Sequence, residues 1–310
     1  MTPIKRFLLM VALTCMWSPS FLFIKLSINE MPPLLVVSLR VTLAAMVLGL
    51  ILTLKRTSLP ANVSFWGRTA IMALFSSVFP FCLFCYAELS IDSAVAAILN
   101  GTSLMFTAML AQIFVPTDKM NVQKSIGIAL SSIGVVWLFA PQLQEGVSGT
   151  TLGMAAATLA AFCYAVSHVY GKLFITGQKP FIAPTAQLLV SALLLWPVTF
   201  YKEQVWTLPM PSFQAIMGVC GLAFLGTVCA FIIYYKLLEH CGPTAISMVS
   251  CFFPVGGMLL GFVFLGETFT TNDMLASSTI ILGMLTMNDV VSFNFLRRPQ
   301  GVVNEPIDAE

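Results

Sequence analysis

Long apolar runs alternate with short polar punctuation along the whole chain. The pattern predicts ten helices, over 7–28, 33–54, 66–87, 93–115, 122–140, 149–174, 181–201, 213–238, 243–265 and 272–292. Each run comes close to the roughly 20 apolar residues that one helix needs to cross a hydrocarbon core. The tightest break lies at 88–92, where two helices meet in a short turn.

Composition narrows the class. Of 310 residues, 58% are hydrophobic and 9% are charged, against about 25% charged in an average soluble domain. So few charges cannot cover a soluble surface, and so many apolar residues exclude disorder. The eight cysteines fall mostly inside apolar runs, which is no disulfide framework. A net charge of +2 implies no nucleic-acid partner. Ten spans use roughly 200 residues, leaving no room for a soluble catalytic domain. The expectation is an all-α polytopic membrane protein whose partners are the lipid bilayer and a small-molecule substrate.

The basic residues set an orientation. With the N-terminus in the cytoplasm, Lys5, Arg6, Lys55, Arg56, Arg68, Lys119, Lys124, Lys172, Lys179, Lys236, Arg297 and Arg298 fall inside and Lys202 outside. That bias follows the positive-inside rule and places both termini in the cytoplasm. Glu30, Glu88, Asp92, Glu145, Glu203, Glu267 and Asp273 fall on the outer side. Lys5 and Arg6 before an apolar run resemble a signal peptide, but no small-residue cleavage site follows, so 7–28 is expected as an uncleaved span.

The chain also resembles itself. An offset of 149 carries Tyr86 to Tyr235, Leu89 to Leu238, Ala96 to Ala245, Leu110 to Leu259, Gly134 to Gly283 and Asp118 to Glu267. An offset of 147 carries Ser20 to Ser167, Lys25 to Lys172, Pro33 to Pro180 and Arg40 to Gln187. A unit of five helices is odd, so its second copy enters the membrane from the opposite face. The expectation is ten transmembrane helices as two inverted five-helix repeats, 1–142 and 143–292, with 293–310 a disordered cytoplasmic tail. Inverted repeats place a substrate near the midplane between the halves.

Several stretches resemble the drug/metabolite transporter superfamily, and within it the EamA-type ten-helix transporters. They are Trp17-Ser18-Pro19-Ser20-Phe21, Pro32-Pro33 with Leu39-Arg40, and 94–102 ending in Asn100-Gly101-Thr102. Phe253-Pro254-Val255, Leu265-Gly266-Glu267 and Leu282-Gly283-Met284 complete the set. One departure is visible: Leu104 and Met105 stand where the family often has a proline after the asparagine, while Pro254 is kept in the second half. The resemblance implies secondary export of small metabolites, amino acids or derivatives first, at a bacterial inner membrane. A nucleoside or sulfonium compound is the alternative substrate and an intramembrane enzyme the remote one. It also implies a cavity between the first, third, fourth, sixth, eighth and ninth helices, with no enzyme activity and no cofactor. Energy would come from a coupling proton or ion, because no nucleotide-binding loop is present. The working unit is a monomer or homodimer.

Some residues stand out chemically. Arg40 lies in an apolar run, where a charge is expensive and faces a cavity or another helix. It reads either as an anchor for a substrate carboxylate or as a structural lock. Asn100 and Thr102 are polar groups that need partners inside lipid, as substrate contacts or as helix–helix bonds. Trp17, Ser20, Tyr86, Tyr164, Tyr235 and Ser250 are further cavity candidates. His168 reads as a proton-coupling group or as a neutral buried histidine, and Lys25 as a snorkelling side chain. Pro19, Pro80 and Pro254, with Gly256 and Gly257, are candidate hinges or static kinks. Glu267 is expected at a helix terminus, favouring the start of the tenth helix, and Asp289 at the cytoplasmic end. Cys82 and Cys85 spell C-x-x-C inside an apolar run, with only His168 and His240 as histidines, so no metal site is expected.

Overall fold

A computed structural model describes residues 3–115, 121–144, 149–178, 181–241, 243, 246, 249, 250 and 253–287. Asp118, Lys119, Glu145, Lys179, Asp289 and the 293–310 tail lie outside the described residues. Every long element among those described is a helix, the one open form that satisfies its own backbone in lipid. The order is α1 (Pro3–Trp17), α2 (Ser20–Ile28), α3 (Pro33–Leu54), α4 (Val63–Ala73), α5 (Phe79–Ala87), α6 (Ser93–Gly101) and α7 (Ser103–Phe114). Then follow α8 (Val122–Gln144), α9 (Gly149–Phe174), α10 (Ile182–Glu203), α11 (Phe213–Ala223), α12 (Ala230–Cys241), α13 (Phe253–Leu260) and α14 (Thr271–Met287).

Among the described residues, seven helical stretches are long and apolar enough to cross a membrane: Ile4–Ile28, Pro33–Leu54, Val63–Ala87, Ser93–Phe114, Gly149–Phe174, Ile182–Glu203 and Phe213–His240. Two shorter apolar helices, Val122–Leu138 and Gly256–Leu265, lie where the fifth and ninth runs were expected, and α14 covers the tenth. The chain is therefore a multi-pass helical membrane protein.

Local sequence explains most of the boundaries. Pro32, extended at ψ 149°, puts Pro33 at the first position of α3, where its missing N–H costs nothing. The Asn62 side chain accepts from Ser64 N at the start of α4, and Ser212 from Ala215 N at the start of α11. Three stretches widen to π-helix: Leu74–Val78, Phe224–Cys229 and Gly261–Leu265. The first two join α4 to α5 and α11 to α12. Among the hinge candidates, Pro19 sits at the break between α1 and α2, and Pro80 in the first turn of α5 just past its π segment. Pro254 opens α13. Gly256 packs against Ser18 and Gly257 against Ala97, each too close for a Cβ.

The main helix contacts pair α2 with α11, α3 with α10, α5 with α9, α6 with α13, and α8 with α14. Each pair joins a helix of 1–144 to one of 149–287. The hydrophobic core is correspondingly continuous, running from Leu13 and Phe21 through Leu99 and Leu188 to Ile280 and Met284.

Connectivity gives the bundle two faces. The connections at 29–32, 88–92, 204–212 and 266–270 share one, the acidic face. Three carboxylates there reach across the pairs. Glu203 accepts from Leu34 N (2.8 Å) and Leu35 N (2.7 Å). Glu267 accepts from Ser93 N (2.8 Å) and Ala94 N (3.1 Å). Glu30 accepts from both Ser212 N and Ser212 Oγ at 2.6 Å. Each satisfies orphan donors at a helix start and meets the positive end of its dipole. The expectation for Glu267 is corrected here: it holds the start of α6, while Thr270 and Asp273 cap α14 between themselves. Lys25 extends to the turn on this face, its Nζ donating to the carbonyls of Glu88 (2.7 Å) and Ile91 (3.0 Å).

Candidate functional site

A cavity opens where seven helical runs converge. The α1–α2 break supplies Trp17 and Ser20, with Phe21 and Ile24 below; α3 supplies Arg40, and the first π segment with α5 supplies Ser76, Phe81 and Phe84. The α6–α7 break brings Asn100 and Ser103, α9 brings Tyr164 and His168, and α12 brings Phe231 and Tyr234, with Ser250 and Phe253 closing the wall. The cavity is narrow, about 50 Å³. The side chains stand nearly together, so an organic ligand must part them.

The second π segment builds the polar centre. A π turn shifts the hydrogen-bond register by one residue and leaves a carbonyl available. Gly226 O receives Trp17 Nε1 at 3.0 Å and Arg40 Nη2 at 3.4 Å. Thr227 Oγ1 donates back to Leu222 O at 2.8 Å and accepts from Arg40 Nε at 2.8 Å. The guanidinium of Arg40, only 4% exposed, lies 3.6 Å above the ring centre of Phe81, a cation–π contact. This charge from α3 thus spans to the other half.

The α6–α7 break carries the second polar group. Thr102 turns back on its own helix, Oγ1 donating to Leu99 O at 2.6 Å. Ser103 Oγ donates to Ser250 Oγ at 3.0 Å, bridging the two sides of the cavity. Asn100 Oδ1 and Ser20 Oγ are buried without a hydrogen-bond partner. The Tyr234 hydroxyl is also unpartnered; Ser167, close to it, donates instead to Tyr164 O.

Aromatic rings complete the lining. Tyr164 stacks on Phe84 with ring centres 6.0 Å apart and on His168 at 6.4 Å. Trp17 meets Tyr234 at 5.8 Å and Phe253 at 6.1 Å. His168 Nδ1 lies 3.4 Å from Thr107 Oγ1.

Seven residues singled out in the sequence line this cavity: Trp17, Ser20, Arg40, Asn100, Tyr164, His168 and Ser250. Three do not. Tyr86 is 45% exposed on the far side of α5, and Thr102 is buried in the helix break. Tyr235 points one residue's rotation away from Tyr234 and donates its hydroxyl to Gln187 Oε1. Phe81 and the Gly226-Thr227 carbonyl and hydroxyl were not singled out; the one signal for them is a Gly-Thr pair inside an apolar run. Among the described residues no cluster of three metal-ligating side chains forms.

A mirrored pair of contacts accompanies the site. Gln187, the offset counterpart of Arg40, donates from Nε2 to Ser77 Oγ at 2.6 Å on the first π segment, as Arg40 reaches the second. Lys172, counterpart of Lys25, donates to Glu239 O at 2.9 Å.

Comparison with known proteins agrees with this architecture. The EamA-like transporter family matches residues 5–140 and again 151–288. A curated relative from Bacillus subtilis strain 168, named an uncharacterized transporter, is 25% identical and covers 95% of this chain and 99% of its own. A probable amino-acid metabolite efflux pump of Salmonella typhimurium strain LT2 is 27% identical over 88% of this chain and 90% of its own. One solved crystal structure superposes with a TM-score of 0.69 at 17% identity, covering 92% of this chain and 98% of that one; at that identity the likeness speaks for the fold. With the family matched twice along nearly its whole length, the chain belongs to the EamA-like transporter family and is a membrane transporter.

Proposed function

We propose that this protein exports small metabolites, amino acids or their derivatives first, by alternating access between two inverted five-helix halves, with both termini cytoplasmic. The observation that carries the reading is the cavity itself. It is walled by α2, α3, α5 and α6 from one half and by α9, α12 and Phe253 from the other. Rocking the halves changes which face it meets. Arg40 and Lys25 each have a counterpart 147 residues on, Gln187 and Lys172, that makes a corresponding contact, which supports the inverted repeat. The efflux-pump name of the Salmonella relative supports export of amino-acid metabolites. A sulfonium substrate fits less well, because its cation would face Arg40. No step calls for bond chemistry in the cavity; an ion gradient supplies the energy.

Right-side-out and inverted vesicles of expressing cells, given a labelled mixture of amino acids and N-acylated amino acids in the outer medium, test the direction. Export predicts gradient-driven accumulation in the inverted vesicles. Accumulation confined to right-side-out vesicles would overturn it.

A further inference from the structure

The charge balance of the cavity narrows its ligand. We propose that it binds a monocarboxylate: an organic acid with one carboxylate, an apolar or aromatic body, and no free ammonium group. The proposal rests on the transport reading for its site and adds the substrate class.

Arg40 is the one permanently charged side chain lining the cavity among the described residues. No described carboxylate lines it, and residues 242–252 contain neither acid nor base in their sequence. A guanidinium at this depth without a counter-charge is expensive. The ring of Phe81 and two hydrogen bonds to neutral oxygens offset part of that cost. Those bonds use Nε and Nη2, leaving further donors of the planar fork for an oxygen ligand. A carboxylate supplies the missing charge and matches the fork.

The rest of the wall has no place for a second charge. An ammonium group would enter with the same sign as Arg40 and meet no carboxylate. What the wall offers is rings, Trp17, Phe84 and Tyr164 among them, for an apolar body. It also offers three unpartnered neutral polar atoms, on Asn100, Ser20 and Tyr234. Asn100 Oδ1 accepts only, which suits the N–H of an amide; Ser20 Oγ suits a hydroxyl or carbonyl. N-acylated amino acids and hydroxy acids therefore fit better than free amino acids.

The test uses the purified full chain in lipid nanodiscs and four probes sharing one ring. Phenylpropionate and N-acetyl-phenylalanine are anions, phenylalanine is a zwitterion, and phenylethylamine is a cation. Titration calorimetry on the native protein is expected to rank both anions about thirtyfold or more tighter than phenylalanine, with phenylethylamine weakest. Arg40→Gln is expected to erase the ranking, and Arg40→Lys to keep its order at lower affinity. Phenylalanine binding as tightly as phenylpropionate, no probe binding at all, or an unchanged ranking in a folded Arg40→Gln protein would each overturn the proposal. If Arg40→Gln does not fold, the ranking on the native protein decides. Counterflow in proteoliposomes separates the two readings. Exchange of phenylalanine but not phenylpropionate overturns the monocarboxylate while leaving transport intact. Binding of phenylpropionate without counterflow of any probe keeps the ligand class and overturns transport.

Discussion

Glu267 and Ser93 are 174 residues apart, yet the Glu267 carboxylate receives the Ser93 amide at 2.8 Å. The same carboxylate receives Ala94 N, so it takes up two of the four orphan donors at the start of α6. Glu203 does the same for α3, and Glu30 takes the amide and the hydroxyl of Ser212 just ahead of α11. All three lie on the acidic face, and all three join residues of 1–144 to residues of 149–287. The acidic face is thereby fastened by carboxylates set on helix starts.

Removing one fastener should loosen that face without disturbing the cavity. Glu267→Ala is expected to cost about 2 kcal/mol, the usual worth of hydrogen bonds to a charged group. In detergent it should lower the unfolding temperature, while Leu89→Ala, at an exposed position of the same face, should leave it unchanged. Equal unfolding temperatures for the two variants would mean that Glu267 does not hold α6.

Glu88, in the turn beside this fastener, has the opposite electrostatic setting. Its carboxyl is wholly buried, and neither oxygen has a hydrogen-bond partner. Burial pushes its pKa well above the usual carboxylate value; Lys25 opposes the shift and Glu267 adds to it. The folded protein thus holds a proton that the unfolded chain gives up near pH 4.5. As pH rises past that value, folding must keep the proton bound, so stability falls with increasing pH. Glu88→Gln removes this dependence. Thermal unfolding across the acid to neutral range should show the variant gaining on the native protein as pH rises from about 4. The two should lie closest at the acid end. A constant difference at every pH would show that the Glu88 carboxyl does not carry the effect.

Punctuation made much of the fold readable, and the missing parts have physical causes. Helix 33–54 is bounded by Pro32-Pro33 and by Lys55-Arg56, and α3 spans those very residues. The π segments left no mark, because they answer to neighbours: Gly226 and Thr227 turn outward where Arg40 and Trp17 wait. Arg40 was conspicuous as a charge in an apolar run. The aromatic wall was harder, because a helix in lipid is apolar all round and its sequence does not reveal which side faces inward. Tyr234 enters the cavity while Tyr235 leaves it for Gln187, and Tyr86 faces outward; nothing in their local sequence separates the three.

Gln187, the counterpart of Arg40, offers a further test. Its amide is fully buried, donating to Ser77 and accepting from Tyr235. Tyr235→Phe leaves the amide oxygen without a partner and should cost about 1–3 kcal/mol. Tyr235→Phe combined with Gln187→Leu removes the orphan acceptor and should recover part of the loss. A double variant less stable than the sum of the two single ones would refute this account of the contact.

The packing of α8 on α14 gives the most direct test of the proposed two-fold relation between the halves. A Cβ on Gly134 would stand 2.6 Å from the Ile280 side chain and 2.9 Å from Ile280 N. A Cβ on Gly283 would stand 2.4 Å from Ser131 Oγ and 2.6 Å from Ser131 N. The offset of 149 that carries Gly134 to Gly283 also carries Ser131 to Ile280, so each glycine admits the counterpart of the residue that the other admits. Small residues of this kind let helix backbones approach closely in lipid. The obstructing atoms include backbone, which cannot swing aside, so an added methyl must push the helices apart. Gly134→Ala and Gly283→Ala are each expected to cost about 1–3 kcal/mol by overpacking. On the proposed two-fold relation their losses should be similar, and the pair together should lose less than the sum, since the first methyl already opens the gap that the second needs. Thermal unfolding of the two single variants and the double variant measures all three quantities. Strictly additive losses, or a loss at one glycine alone, would contradict a shared two-fold interface.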